Sequence, residues 1–251
     1  MTSLEAYRPW VVFGGFLFPG LVALLRDGAA PADPNEQRGN SRRQRARPNG
    51  LILAPTRELV SQIFDEARKF CYCTGVRPVV CYGGAETRGQ LQELERGCDL
   101  LLATPGRLVD FLERGRVTLS ACRFLVLDEA DRMLDMGFEP QIRSIVATCP
   151  ADRQTMLFTA TWEPKVQKVA RTLTTRGEPA RVVFGDAASG KLVANKDIAQ
   201  TLDICDVSTK KVKARALLES LHGAAAPAGR KTIVFVGTKR GCDELANELS
   251  N

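Results

Sequence analysis

The sequence predicts an α/β protein: a doubly wound parallel sheet with helices on both faces, followed by the beginning of a second unit of the same kind. Three observations predict it. Short apolar runs recur from residue 51 onward, at Leu51–Ala54, Pro78–Tyr82, Leu100–Ala103, Phe124–Leu127, Thr155–Phe158 and Arg181–Phe184. None of them alternates polar with apolar, so each reads as a strand covered on both faces. Between the runs the period changes to that of a helix, and strands alternating with helices make a parallel sheet.

The elements follow in order. Leu59, Ile63, Ala67 and Cys71 recur at i, i+4 and predict a helix over 57–72, with Gly75 beyond it as a stop. Further helices fit at about 87–96, 105–114 and 163–175, the last carrying Val166, Val169, Ala170 and Leu173. Residues 185–197 are small, polar and glycine-containing, and read as a linker. A second unit follows over 198–251, with strands expected near 199–207 and at Thr232–Val236 and helices near 208–222 and 238–249. So short a unit is expected to bury little core of its own. The domain reading is therefore a divergent segment over 1–50 with an apolar helix and an arginine-rich loop, a first domain over 51–184, the linker, and the second unit.

Composition excludes several classes. The chain has 251 residues, 44% hydrophobic and 25% charged, which are globular proportions and not those of a disordered, collagenous or disulfide-scaffold chain. Of the net charge of +6, five charges come from Arg38, Arg42, Arg43, Arg45 and Arg47, and the remainder is nearly neutral. That run reads either as a solvated loop or as a supplementary, salt-sensitive phosphate contact. The eight cysteines include no C-x-x-C pair and there is a single histidine, His222, so no zinc set is apparent. Several cysteines lie inside apolar runs, which argues for free thiols in a reducing compartment, cytoplasm or nucleus. The uncharged run Trp10–Leu25 is broken by Gly14, Gly15, Pro19 and Gly20 and is short for a bilayer span. It reads as a buried helix, with a secretory signal as the alternative.

The strongest chemical signal is Asp128-Glu129-Ala130-Asp131, emerging from the apolar run Phe124–Leu127. Open α/β sheets bind ligands beyond the carboxyl ends of their strands. There an acid can hold Mg²⁺ through water and its neighbour can accept a proton from an attacking water. Acids that merely mark a strand reaching solvent are the other reading. Two glycine-containing turns, Gly83-Gly84 and Thr104-Pro105-Gly106-Arg107, each follow an apolar strand and lead into a helix. Glycines and helix-start amides approach phosphates closely, and Arg57 and Arg107 could pair with them. Such contacts grip a sugar–phosphate backbone without reading bases.

Taken together, these motifs resemble those of the DEAD-box RNA helicases, in their order and at roughly their spacing. The long block Leu127–Ile142 carries the resemblance most strongly. Pro55-Thr56-Arg57-Glu58-Leu59 resembles the first RNA-contacting motif, Gly83-Gly84 the glycine pair, and Thr104–Arg107 the next RNA-binding motif. Thr159-Ala160-Thr161 corresponds to the motif that couples ATP hydrolysis to unwinding, and Ile233–Lys239, with Thr238, to the opening motif of a second RecA-like domain. The resemblance implies two RecA-like domains, ATP and Mg²⁺ as cofactors and RNA as partner. It assigns Asp128 to Mg²⁺ through water and Glu129 to the attacking water. It counts Asp131, Thr159 and Thr161 among the catalytic residues, the two threonines relaying closure to strand separation.

One part of that pattern is missing. The family's P-loop, ending in Gly-Lys-Thr, precedes a helix that survives here as Phe16–Leu25, but residues 8–15 contain no Lys, Ser or Thr. The lysine contact to the β/γ-phosphates and the hydroxyl on Mg²⁺ are therefore lacking. Trp10–Phe13 is β-prone and is expected to fill the slot of the strand that normally feeds the P-loop. Gly185–Lys191 satisfies G-x-x-x-x-G-K, but Leu192 follows where a hydroxyl is needed. The adenine-reading glutamine motif and the arginine-finger motifs of the second domain are also not found. Two readings follow: an ATP-dependent RNA helicase represented by an incomplete chain, or an RNA-binding form without ATP turnover.

Overall fold

The computed structural model describes residues 9–28, 45–174, 177–183, 198–222 and 231–250. The chain divides into two units, Met1–Gly190 and Lys191–Asn251.

In the first unit the apolar runs become five parallel strands: β1 (Gly50–Leu53), β2 (Pro78–Cys81), β3 (Leu100–Ala103), β4 (Phe124–Leu127) and β5 (Gln154–Leu157). They lie side by side in the order β2-β3-β1-β4-β5. The three central strands are buried along their whole length, as non-alternating apolar runs require. Alternate residues of each strand feed two separate cores: Leu51 and Leu53 join one, Ile52 and Ala54 the other.

Helices cover both faces. On one lie α1 (Pro9–Asp27) and α2 (Arg57–Cys71), which bury Phe16, Leu17, Val60 and Ile63 against the sheet. The other core takes Leu108 and Phe111 of α4 (Pro105–Glu113), Met133 of α5 (Ala130–Asp135), Ile142 and Ile145 of α6 (Glu139–Ala147) and Val169 of α7 (Pro164–Leu173). Helix α3 (Thr87–Glu95) adds Leu94. The helices expected at 57–72, 87–96, 105–114 and 163–175 are all present, whereas α5 and α6 lie within the Leu127–Ile142 block and the stretch after it.

Four strand expectations fail, two of them in this unit. Trp10–Phe13 is helical, part of α1, and not a strand. The reason is periodic: Phe13, Phe16, Leu17, Leu21 and Leu24 fall on one helical stripe and are all buried. At Arg181–Phe184 the described residues 181–183 form no strand, and Val182 is exposed. Among the described residues the sheet ends at β5, whose residues are only partly covered, and no further strand extends the ladder there. Without a neighbour to exchange hydrogen bonds, an apolar run gains nothing from extension.

The second unit shows the same effect. It contains α8 (Val207–His222) and α9 (Lys239–Ser250), close to the expected helices. The segments expected as strands near 199–207 and at Thr232–Val236 are irregular, with Phe235 92% exposed. Helix α8 buries no residue. Lys211 and Glu248 join the two helices by an exposed ion pair at 2.7 Å, a contact of little energetic weight. The linker 185–197, with its Gly185–Lys191 sequence, and Arg38, Arg42 and Arg43 lie outside the described residues.

Candidate functional site

Because every strand is parallel, their carboxyl ends share one edge. The register pairs Leu53 with Ala103 and Leu127, Cys81 with Ala103, and Leu127 with Leu157. Residues 54–58, 82–84, 104–107, 128–131 and 158–161 therefore leave the sheet on the same side. Two groups of side chains form there.

The first group lines a cavity of about 670 Å³ that contains Pro55, Thr56, Arg57, Glu58, Gly83, Thr104, Gly106 and Arg107. Thr56 is the N-cap of α2, its hydroxyl accepting the Leu59 N–H at 3.2 Å, which leaves Arg57 at the first helical position. The Arg57 guanidinium lies 4.8 Å from the centre of the Tyr82 ring. Thr104 precedes α4 but makes no capping bond; its hydroxyl instead accepts the Gly83 N–H at 3.3 Å. Two turns separated by some twenty residues of sequence are thereby tied together. Pro105, buried at the first position of α4, has no N–H, and the amides of Gly106 and Arg107 have no intrahelical partner. The Arg107 guanidinium donates to the Thr87 hydroxyl at 3.0 Å and the Ala85 carbonyl at 3.1 Å, which fixes its direction. Gly84 has φ +71°, a conformation that favours glycine, although it does not line the cavity.

Three cavity residues were not singled out by sequence reasoning: Asp110, Met136 and Phe138. Asp110 stands one helical turn from Arg107, so helical spacing alone could have found it. Met136 and Phe138 flank Gly137, whose φ of +77° makes the turn that brings both to the cavity. They belong to the Leu127–Ile142 block, in which only the acids had an assigned role. Two arginines and two acids leave the cavity without a large net charge, so amides and the apolar wall matter as much as the arginines. Thr238 belongs to the second unit, where its hydroxyl accepts the Gly241 N–H at 3.0 Å at the start of α9.

The second group is acidic. Asp128 follows β4 directly, and its N–H donates to the Leu53 carbonyl at 2.9 Å. Burial raises its pKa from 3.8 to about 6; the Glu129 N–H opposes the rise, and the charges of Glu129 and Asp131 add to it. Glu129 is exposed and held in the left-handed region at φ 51°, ψ 52°, unusual for a side chain of this size. The Ala130 N–H donates to the Phe158 carbonyl at 3.0 Å, tying the acidic turn to the end of β5. Asp131 is buried and accepts both the N–H and the hydroxyl of Thr161 at 3.0 Å. The Thr159 hydroxyl donates to the Thr161 carbonyl at 2.9 Å. The five acids and threonines singled out from the sequence thus form one connected group.

Asp128 is the residue of this group that could hold a cation. A buried carboxyl with two like charges nearby is one that a cation would relieve. Among the described residues no three His, Cys, Asp or Glu side chains are gathered to hold a metal by themselves. A triphosphate is not accommodated equally well. Residues 9–15 are helical, Phe13 is buried, and helical amides from that residue onward are committed to carbonyls four residues back. A Cβ on Gly15 would lie 3.7 Å from the Phe158 ring. The segment presents neither a lysine nor a loop of free amides to a phosphate chain.

No described helix is long and apolar enough to cross a membrane. A family model described as DEAD/DEAH box helicase matches residues 17–169, more than half of the chain and all of both groups.

Proposed function

Given that the chain belongs to the DEAD/DEAH box helicase family, a family of ATP-dependent helicases with a RecA-like core, we propose that it is of the DEAD-box branch and that its nucleic acid is RNA, bound through the backbone. The observation that carries this reading is the cavity at the sheet edge. Sequence-distant turns converge there, supplying Arg57, Arg107 and the unpaired amides that start α4. Those groups suit phosphate and ribose oxygens and offer little that would distinguish bases. In a complete family site Asp128 would hold Mg²⁺ through water and Glu129 would orient the attacking water. Asp131 with Thr159 and Thr161 would couple that site to the RNA path.

Among the described residues nothing supplies the phosphate-binding half of that site. The segment preceding Phe16 is helical and without lysine, so the second reading is favoured here: RNA binding without ATP turnover by this polypeptide itself. A reducing compartment, cytoplasm or nucleus, is proposed for it from the several cysteines that lie inside apolar runs.

The test is ultraviolet cross-linking of the full chain to a single-stranded RNA, followed by peptide mapping and a parallel phosphate-release assay. Cross-links at residues 55–58 and 104–107 with no RNA-stimulated phosphate release are expected. Phosphate release abolished by Asp128→Ala would overturn the non-hydrolysing reading, and cross-links confined to other surfaces would overturn the RNA site.

A further inference from the structure

Helix α3 contributes no residue to the cavity at the sheet edge, yet its first turn holds both of the cavity's arginines. Thr87 opens the helix. Its hydroxyl accepts from Nη1 of Arg107 at 3.0 Å, and the Ala85 carbonyl just before the helix accepts from Nη2 at 3.1 Å. Two of the guanidinium's donors are spent in this way and the others are left for a ligand.

Gln90 stands three residues on, along the same face of α3. The Cys81 carbonyl is turned inward to the Thr104 N–H at 3.0 Å, so the backbone groups of Tyr82 face out from the end of β2, an edge strand. Gln90 meets them there: its side-chain carbonyl accepts the Tyr82 N–H and its amide donates to the Tyr82 carbonyl, both at 3.1 Å. It does for Tyr82 what a neighbouring strand would do. The Tyr82 ring in turn lies 4.8 Å from the Arg57 guanidinium. One turn of helix thus holds Arg107 directly and Arg57 through Tyr82.

The manner of holding sets these two apart from other arginines. Arg77, Arg96, Arg114 and Arg143 each pair with a carboxylate. Arg107 is held by a hydroxyl and a carbonyl and Arg57 by a ring, and among the described residues neither joins an ion pair. Neutral partners fix the direction of a guanidinium without cancelling its charge, which suits it to an anionic ligand.

On the reading of this cavity as an RNA-backbone interface, we infer that Thr87 and Gln90 are positioning residues for the phosphate contacts. Thr87 aims Arg107; Gln90, through Tyr82, aims Arg57. An arginine freed of its support must be ordered afresh whenever a phosphate binds, which costs affinity, while its charge is unaltered. Loss of the support therefore weakens binding but leaves the number of phosphates neutralised, and with it the salt slope, unchanged. Loss of the arginine itself changes both.

The test is fluorescence anisotropy of the full chain with a labelled single-stranded RNA across a range of salt, the fold of each variant being checked by urea unfolding. Thr87→Val removes the hydroxyl and should weaken binding by about threefold to tenfold, the ordering cost of one long side chain, at the parent's salt slope. Thr87→Ser should restore the parent's affinity. In an Arg107→Gln background Thr87→Val should have no further effect, a silence that a merely structural role would not produce. Gln90→Ala should weaken binding likewise and fall silent in an Arg57→Gln background. If it does not fold, Tyr82→Leu takes its place, removing the ring and keeping the backbone bonds.

A parent that binds no RNA, or an Arg107→Gln variant that binds as the parent does, overturns the reading of the cavity itself. With that reading intact, a Thr87→Val or Gln90→Ala variant that binds as the parent does, or a loss that persists undiminished in the arginine-substituted background, overturns the positioning role of that residue alone.

Discussion

Asp131 and Thr161, thirty residues apart, are joined twice through one carboxylate oxygen, which accepts the threonine N–H and its hydroxyl, each at 3.0 Å. This pair closes the acidic turn after β4 onto the turn after β5. Because Asp131 is buried, the hydrogen bonds replace water that it would otherwise keep.

Thr161→Ala removes the hydroxyl and leaves the N–H. A hydrogen bond to a charged group is worth about 1.5–3 kcal/mol. Urea unfolding of the variant should show a loss near the lower end, about 1–2 kcal/mol, because one donor remains. Thr161→Ser should recover most of it. A loss of the same size in Ser would mean that the methyl group, rather than the hydroxyl, carries the effect.

Asp128 makes stability depend on pH in the direction opposite to a paired carboxylate. Its native pKa of about 6 exceeds its ordinary 3.8. The native state therefore holds a proton more tightly, and the associated stability is present below 3.8 and lost as pH rises through about 6. Asp128→Asn abolishes that loss. At about pH 8 the variant should be more stable by up to about 3 kcal/mol, and the gain should vanish at about pH 4. Equal stabilities at the higher pH would show that Asp128 is not desolvated as described.

Gly20→Ala tests the seating of α1 on the sheet. A Cβ there would lie 2.5 Å from the Phe124 ring in β4, too close without displacement of the helix or the ring. Overpacking of this kind costs about 1–3 kcal/mol, measurable as a fall in urea midpoint. A neutral substitution would mean that α1 does not rest on Phe124.

Much of this architecture was legible in the sequence, for identifiable reasons. Runs such as Leu100–Ala103, apolar at every position, suit strands covered on both sides, and β3 is buried throughout. The stripe Leu59, Ile63, Ala67 and Cys71 likewise fixed α2. What the runs could not reveal was whether each would find a neighbour. Arg181–Val183 and Thr232–Val236 have the composition of strands but no ladder partner, and remain irregular. Trp10–Phe13 is β-prone taken alone, but the stripe that continues through Leu24 makes it part of the buried helix that Trp10–Leu25 predicts. In the site, motif residues such as Thr104 and Gly83 were identified singly, but their hydrogen bond to one another depends on the β2–β3 pairing. Met136 and Phe138 were missed because a turn at Gly137, rather than any periodic pattern, delivers them to the cavity.

The cavity as an RNA-backbone interface is tested most directly by fluorescence anisotropy of the full chain with two single-stranded RNAs of the same length and scrambled sequence, across a range of salt. Two arginines facing phosphates predict similar affinities for both RNAs and a log–log salt slope of about −1.4, from about −0.7 per phosphate on a single strand. Arg107→Gln, which removes one of them, should halve the slope and weaken binding to both RNAs alike. Absence of binding at low salt, or an Arg107→Gln variant that binds as the parent does with an unchanged slope, would contradict the assignment of this cavity.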